Sequence, residues 1–235
     1  MDSSVRLGPP FYVIATPIGN LADISLRAIE ALKETRVIVC EDTRVTLRLL
    51  SHLGIHGKTL LSLHHEDAGW VERMCASVSG RPAALVVDNG TPAISDPGAR
   101  LLRALTKNGA RVIAIPGASA LTAALSISGM GRDGFIFLGF LPKSRSKIVK
   151  ELTSAFTARD TVVFYESPHR IKDTLAILAE LKPLADVLVA RELTKIHEEI
   201  SRADAVKMAA DYASRQRVLG EITVIAEDPG EPRQD

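Results

Sequence analysis

Apolar positions alternate in spacing along this chain, and the alternation predicts strands and helices in turn. Phe11-Tyr12-Val13-Ile14-Ala15 is a continuous apolar run that breaks at Pro17 and Gly19. From Ile24 to Glu34 the apolar residues Leu26, Ile29 and Leu32 fall at helical spacing. Val37-Ile38-Val39-Cys40 reads as a second strand, Thr46–Leu53 as a helix closed by Gly54, Thr59–Leu63 as a weaker strand and Asp67–Val78 as a helix. Strands at Ala83–Val87 and Arg111–Ile115 flank a helix over Gly98–Lys107, and the small-residue segment Ala118–Ile127 is helical. The second half repeats the theme. Strands are expected at Phe135–Leu141, Thr161–Tyr165, Asp186–Ala190 and Ile222–Ala226, with helices at Ser146–Ala155, Ile171–Leu181 and Ala203–Ala213. The tail Glu227–Asp235, rich in Pro, Gly and charge, is expected to fray.

Strands built almost wholly of Val, Ile and Leu and separated by helices predict α/β architecture with mainly parallel sheets covered on both faces. The Gly-rich segment 129–134 divides the pattern, so two α/β domains are expected, 1–128 and 135–235, with 129–134 as a hinge. That segment also matches G-x-G-x-x-G. A dinucleotide fingerprint follows a strand and opens a helix; this one does the reverse.

Composition narrows the function classes. The 235 residues are 46% apolar and 24% charged, with a net charge of +1. Nothing global calls for nucleic acid or membrane, so a polyanion must be met by a local patch. Cys40 and Cys75 make no disulfide framework, no signal peptide pattern opens the chain, and no apolar run is long enough to span a bilayer. A cytoplasmic setting is the expectation.

The chemistry concentrates in loops that follow strands: Thr16-Pro17-Ile18-Gly19-Asn20, Asp88 through Gly98, and Pro116-Gly117-Ala118-Ser119-Ala120. In a parallel sheet these share one edge, where ligands bind. With no Walker sequence and no basic residue before Arg100 in these loops, a pyrophosphate is disfavoured. A ligand with hydroxyl and amide groups suits Asp88, Thr91 and Ser119. Glu41-Asp42-Thr43-Arg44, Tyr165-Glu166-Ser167-Pro168-His169-Arg170 and Ala190-Arg191-Glu192-Leu193-Thr194-Lys195 put charges at further strand ends. For the first, the plain account is a helix start capped by Asp42 or Thr43; the functional one adds Arg44 as a phosphate contact. His64-His65-Glu66-Asp67 and His197-Glu198-Glu199 read as helix starts, since no metal-ligand spacing is present. Lys143, Arg145, Lys147 and Lys150 form a basic cluster that is either a solvated helix entry or a phosphate-contacting patch.

Six segments occur in order: Thr16-Pro17-Ile18-Gly19-Asn20-Leu21, Glu41-Asp42-Thr43-Arg44, Asp88-Asn89-Gly90-Thr91-Pro92 with Asp96-Pro97-Gly98, Pro116-Gly117, Phe164-Tyr165-Glu166-Ser167, and Ala190-Arg191-Glu192-Leu193-Thr194-Lys195. Together, from Phe11 to Ala226, they resemble the ribosomal RNA small subunit methyltransferase I family, the ribose 2′-O-methyltransferase branch of the tetrapyrrole methylases. Val87, Asn89 and Ala118 depart from its usual residues. The resemblance implies S-adenosylmethionine in a cleft between two α/β domains, usually a homodimer, and methylation of a decoding-centre cytidine ribose in small-subunit RNA. No metal is expected from the ligand spacing, and the near-neutral charge fits docking on an assembled particle by local patches. It implies that Pro17, Asp88, Thr91, Ser119, Ala120, Tyr165, Ala190 and Glu221 hold the cofactor. Glu41, Asp42, Arg44, Glu192 and Lys195 would face the RNA, with Lys143, Arg145 and Lys147 as further RNA contacts. Catalysis is expected from Glu192 or Asp42 as proton acceptor and Lys195 or Arg44 as the cation. Two alternatives stand beside it: a methyltransferase of tetrapyrrole precursors, and a non-catalytic ribosome-binding protein with a vestigial pocket.

Overall fold

The structure is a computed structural model that describes residues 8–63, 69–95, 98–132 and 134–229. The expectations that fall on His64-His65-Glu66-Asp67, Asp96-Pro97, Asp133 and the ends of the chain lie outside the described residues. The chain divides into two units, Met1–Ser119 and Ala120–Asp235.

The first unit runs β1 (Phe11–Ile14), α1 (Leu26–Glu34), β2 (Val37–Cys40), α2 (Thr43–His52), β3 (Thr59–Ser62), α3 (Trp70–Val78), β4 (Ala83–Val86), α4 (Ala99–Lys107) and β5 (Val112–Ile115). Its strands form one five-stranded sheet in the order β3-β2-β4-β1-β5, with every pairing parallel. Strand side chains alternate between faces, and the two faces carry two separate cores. Ile38 and Cys40 with Ala84 and Val86 meet Leu32 of α1 and Leu50 of α2. Val37 and Val39 with Ala83 and Leu85 meet Trp70, Leu101 and Leu105 of α3 and α4. This double burial is why the central strands β2 and β4 lack polar residues. Local signals fix the helix ends. The Ser25 hydroxyl accepts the Ala28 N–H at 3.1 Å, and Gly54, at φ +68°, ends the turn after α2 as only glycine does cheaply.

The second unit runs α5 (Ala120–Ser128), β6 (Phe135–Phe140), α6 (Arg145–Ala158), β7 (Thr161–Glu166), α7 (Ile171–Leu181), β8 (Asp186–Arg191), β9 (Glu199–Asp204), α8 (Ala205–Ser214) and β10 (Ile222–Glu227). Its sheet has the order β6-β7-β10-β8-β9. Here the parallel expectation holds only for β6 with β7; β7–β10, β10–β8 and β8–β9 are antiparallel. β9 itself lies where the sequence suggested a helix start, from Glu199. Val162, Phe164, Val187, Val189, Ile222 and Val224 pack on the helices of one face, while α5 packs against β10.

That contact explains the dividing point. The sequence placed the change of domain at 129–134, whereas the chain divides before α5. Within the second unit Met130 is buried and the Gly131 N–H donates to Glu227 Oε1 at 3.0 Å. Among the described residues, no helix is long and apolar enough to cross a membrane, and no three His, Cys, Asp or Glu residues group as metal ligands.

Candidate functional site

In the first unit, four loops leave the carboxyl ends of β2, β4, β1 and β5, which are neighbours in the sheet. They are stapled to one another by short polar groups. Thr16, fully buried, donates its hydroxyl to the Val87 carbonyl at 2.9 Å, and its backbone exchanges hydrogen bonds with Gly90. The Thr91 hydroxyl donates to the Ala118 carbonyl at 3.1 Å. The Asp42 N–H donates to Asp88 Oδ1 at 3.0 Å, and the Asp88 N–H donates to Glu41 Oε2 at 3.3 Å. The glycines serve this packing. A Cβ on Gly117 would sit 3.0 Å from Ala15 Cβ, and Gly90, at φ +84°, lies against Ile18 and the Ala118 carbonyl.

Between the loops after β1 and β4 and helix α2 lies an open pocket of about 360 Å³, lined by Pro17 and Gly19, by Val45, Thr46 and Arg48 of α2, and by Asp88. Pro17 and Asp88 of the expected cofactor set line it; Thr91, Ser119 and Ala120 do not. The Thr46 hydroxyl is buried with no hydrogen-bond partner among the described residues. Arg48 and Thr46 escaped the sequence reading because they sit inside a helix, away from the turn residues that drew attention.

Asp42 caps α2, accepting the Arg44 N–H at 2.8 Å, and its carboxylate is gripped by the Arg44 guanidinium at 2.6 Å. Those bonds hold its carboxyl well below the usual carboxylate range. This geometry is the plain account of the segment: Asp42 is the helix cap and Arg44 its exposed ion-pair partner.

In the second unit the register gathers the expected residues. Thr223 of β10 pairs with Tyr165 of β7 on one side and with Ala190 of β8 on the other. Directly paired residues point to the same face, so Tyr165, Thr223 and Ala190 form one row. Thr223, only 3% exposed, was missed because its own strand reads as plain apolar core. Just beyond the row, Lys195 Nζ donates to Glu192 Oε1 at 2.7 Å and to Glu221 Oε2 at 2.9 Å. The Glu221 N–H donates to Glu192 Oε1 at 2.9 Å. Burial opposes the charge on Glu192, but the bonds from Lys195 and the Glu221 N–H outweigh it and lower the carboxyl. Burial likewise pulls Lys195 down, and its two carboxylate partners more than reverse this. The backbone here is strained, with Glu192 at φ +54° and Thr194 at φ +65°. Gly220, at φ +93°, leaves the slot in which Glu192 lies: a Cβ there would be 2.3 Å from Glu192 Cγ. Lys143, Arg145 and Lys147 are exposed at the start of α6, and Arg145 pairs with Glu180.

The chain matches the family model for tetrapyrrole (corrin/porphyrin) methylases over residues 10–209. The structure is similar to that of the methyltransferase CobJ, with a TM-score of 0.66 at 21% identity and 97% of each chain covered. It is also similar to uroporphyrin-III C-methyltransferase from Thermus thermophilus complexed with S-adenyl homocysteine, with a TM-score of 0.62 at 17% identity, covering 93% of this chain and 97% of that one. Fold and matched span thus define the class, a methyltransferase of tetrapyrrole methylase architecture; methyltransferases of this family use S-adenosylmethionine. The ribosomal RNA small subunit methyltransferase I of Hydrogenobaculum sp. (strain Y04AAS1) is 43% identical over 217 residues, covering 91% of this chain and 94% of that protein. The chain belongs to the ribosomal RNA small subunit methyltransferase I family.

Proposed function

We propose that this methyltransferase transfers the methyl group of S-adenosylmethionine to the ribose 2′-hydroxyl of a decoding-centre cytidine in small-subunit ribosomal RNA. The fixed Lys195 ammonium beside the Tyr165–Thr223–Ala190 row carries this reading, and the names of its relatives support the RNA class. The pocket fits the donor's chemistry: the Asp88 carboxylate suits hydroxyl and ammonium groups, and Arg48 alone among its lining residues is a cation.

When bound, S-adenosylmethionine supplies an activated methyl group on a sulfonium centre. Pro17 and Asp88 of the first unit line the pocket that would take it, while Tyr165, Ala190 and Glu221 are grouped within the second unit. The protein's main task is then alignment of the attacking oxygen. A ribose hydroxyl attacks well only as its proton leaves, so a nearby cation that favours the alkoxide accelerates the step. Lys195 has that role, and the hydroxyl proton passes to solvent water as the oxygen takes the methyl group. Glu192 and Asp42 are both held ionised by their cations, which makes each a weak proton acceptor. We assign Glu192 to orienting Lys195, and Asp42 to orienting Arg44 toward a phosphate.

Ribose-methylation mapping of small-subunit RNA, with and without the gene, tests the reading. One decoding-centre cytidine methyl is expected to vanish on deletion and to return with the wild-type chain but not with Lys195→Ala. An unchanged map overturns the proposal. The precursor methyltransferase reading shares fold and donor; turnover of a corrin or porphyrin precursor with no change in the map would favour it. A vestigial pocket would give no heat on titration with S-adenosylmethionine.

A further inference from the structure

Phe140 is an aromatic ring for which the site above has no task. It ends β6, the edge strand of the second sheet, and is 57% exposed. Its position depends on a bulge. Phe137 pairs with Val163 and Phe140 with Tyr165, so β6 spends one residue more than β7 over the same span. Gly139 takes the left-handed conformation at φ +65°. In a regular strand, residues three apart point to opposite faces. The bulge returns Phe140 to the face of Phe137, and both rings stand edge-on to Tyr165, at 5.0 Å for Phe137 and 5.6 Å for Phe140. Bulges re-aim side chains in this way beside functional sites.

The segment after Phe140 is fixed as well. Arg170 Nη1 donates to the Leu141 and Pro142 carbonyls at 3.0 and 2.9 Å. Arg170 Nη2 pairs at 2.6 Å with Glu166, which is buried and accepts the Thr174 hydroxyl at 2.7 Å. The next residues are Lys143, Ser144, Arg145, Ser146 and Lys147, all exposed. A solvent-facing ring is thus held rigid immediately before a run of cations.

We infer that Phe140 is a stacking platform for an unpaired nucleobase of the RNA, with Lys143, Arg145 and Lys147 meeting the flanking phosphates. Rigid aromatic faces beside positive charge are how proteins hold splayed-out bases. The inference rests on the RNA reading above and adds a contact to it. The shared chemistry, a nucleobase, also occurs in the methyl donor's adenine; the adjoining cations favour the polyanion.

Phe140→Ala, Phe140→Leu and Phe140→Trp separate the possibilities. The first two are expected to raise KM for small subunits by about tenfold or more, and Phe140→Trp to leave it near wild type. Affinity for S-adenosylhomocysteine, measured by calorimetry, stays unchanged in all three. A short unstructured RNA is expected to quench the emission of Phe140→Trp. Trp70, the single native tryptophan, is only 2% exposed and should not respond. Unchanged KM in Phe140→Ala, wild-type behaviour of Phe140→Leu, loss of S-adenosylhomocysteine binding, or absence of quenching each overturns the inference. A wild-type enzyme that leaves subunits unmethylated while Phe140→Trp is still quenched by RNA overturns the function proposed above and supports the platform.

Discussion

Gly220 shows how much of the site is decided by a missing methyl group. Its φ of +93° is disfavoured for any side chain, and a Cβ would lie within 2.6 Å of three Glu192 atoms. Gly220→Ala is expected to cost about 3 kcal/mol in chemical denaturation and to reduce methylation by about 100-fold, because Lys195 loses its brace. Gly220→Ala combined with Glu192→Ala removes the clash. Most of the stability should then return while activity stays low. If activity returns as well, Glu192 does not position Lys195. At this scale the sequence was legible wherever polar residues cluster after a strand: Asp42, Asp88, Glu192 and Lys195 all lie at strand ends. It was silent on Gly220, on Thr223 and on Phe140, whose roles depend on pairing across the sheet rather than on neighbours in the chain.

Among the elements, β9 was the one the sequence hid. Glu199-Ile200-Ser201-Arg202-Ala203-Asp204 is an edge strand with charged residues along it, and edge strands are charged because charge deters further pairing. The antiparallel pairing of β8 and β10 was equally illegible, since buried strands carry the same apolar run in either direction. β9 is held to its surroundings by Glu199, which pairs with Arg191 of β8 at 2.9 Å and with Arg215 beyond α8 at 2.7 Å. Arg215, then burial acting in the opposite sense, then Arg191 set its carboxyl, and the net effect is below the usual 4.5. A carboxylate depressed in the folded state contributes stability above its unfolded value and loses it as pH falls through the folded one. Glu199→Gln is therefore expected to be less stable than wild type at neutral pH, with the gap closing below about pH 4.5. Thermal unfolding at a series of pH values measures this. A gap constant down to pH 3 would show that Glu199 carries no such linkage.

Taken whole, the chain balances 29 basic against 28 acidic residues, and much of that charge is consumed internally. Arg202 is committed to Asp186, and Arg215 to Glu199 and Asp211. The alternation of strands and helices made the α/β class legible, because periodicity is a local property. The point of division was not, because α5 joins β10 through a contact distant in sequence. A molecule without a global positive field cannot gather RNA from a distance. It must dock through a local patch and rely on its target being presented in shape. Assembled small subunits are therefore the expected substrate, with free RNA methylated far more slowly. If Lys143, Arg145 and Lys147 meet phosphates, kcat/KM should fall with salt on a double-logarithmic slope of about −2 to −3, as displaced counterions dictate for roughly three contacts. The triple alanine variant should flatten that slope while its kcat at saturating subunits is preserved. Equal rates on free RNA and on particles, or a slope untouched by the triple variant, would mean that recognition lies elsewhere on the molecule.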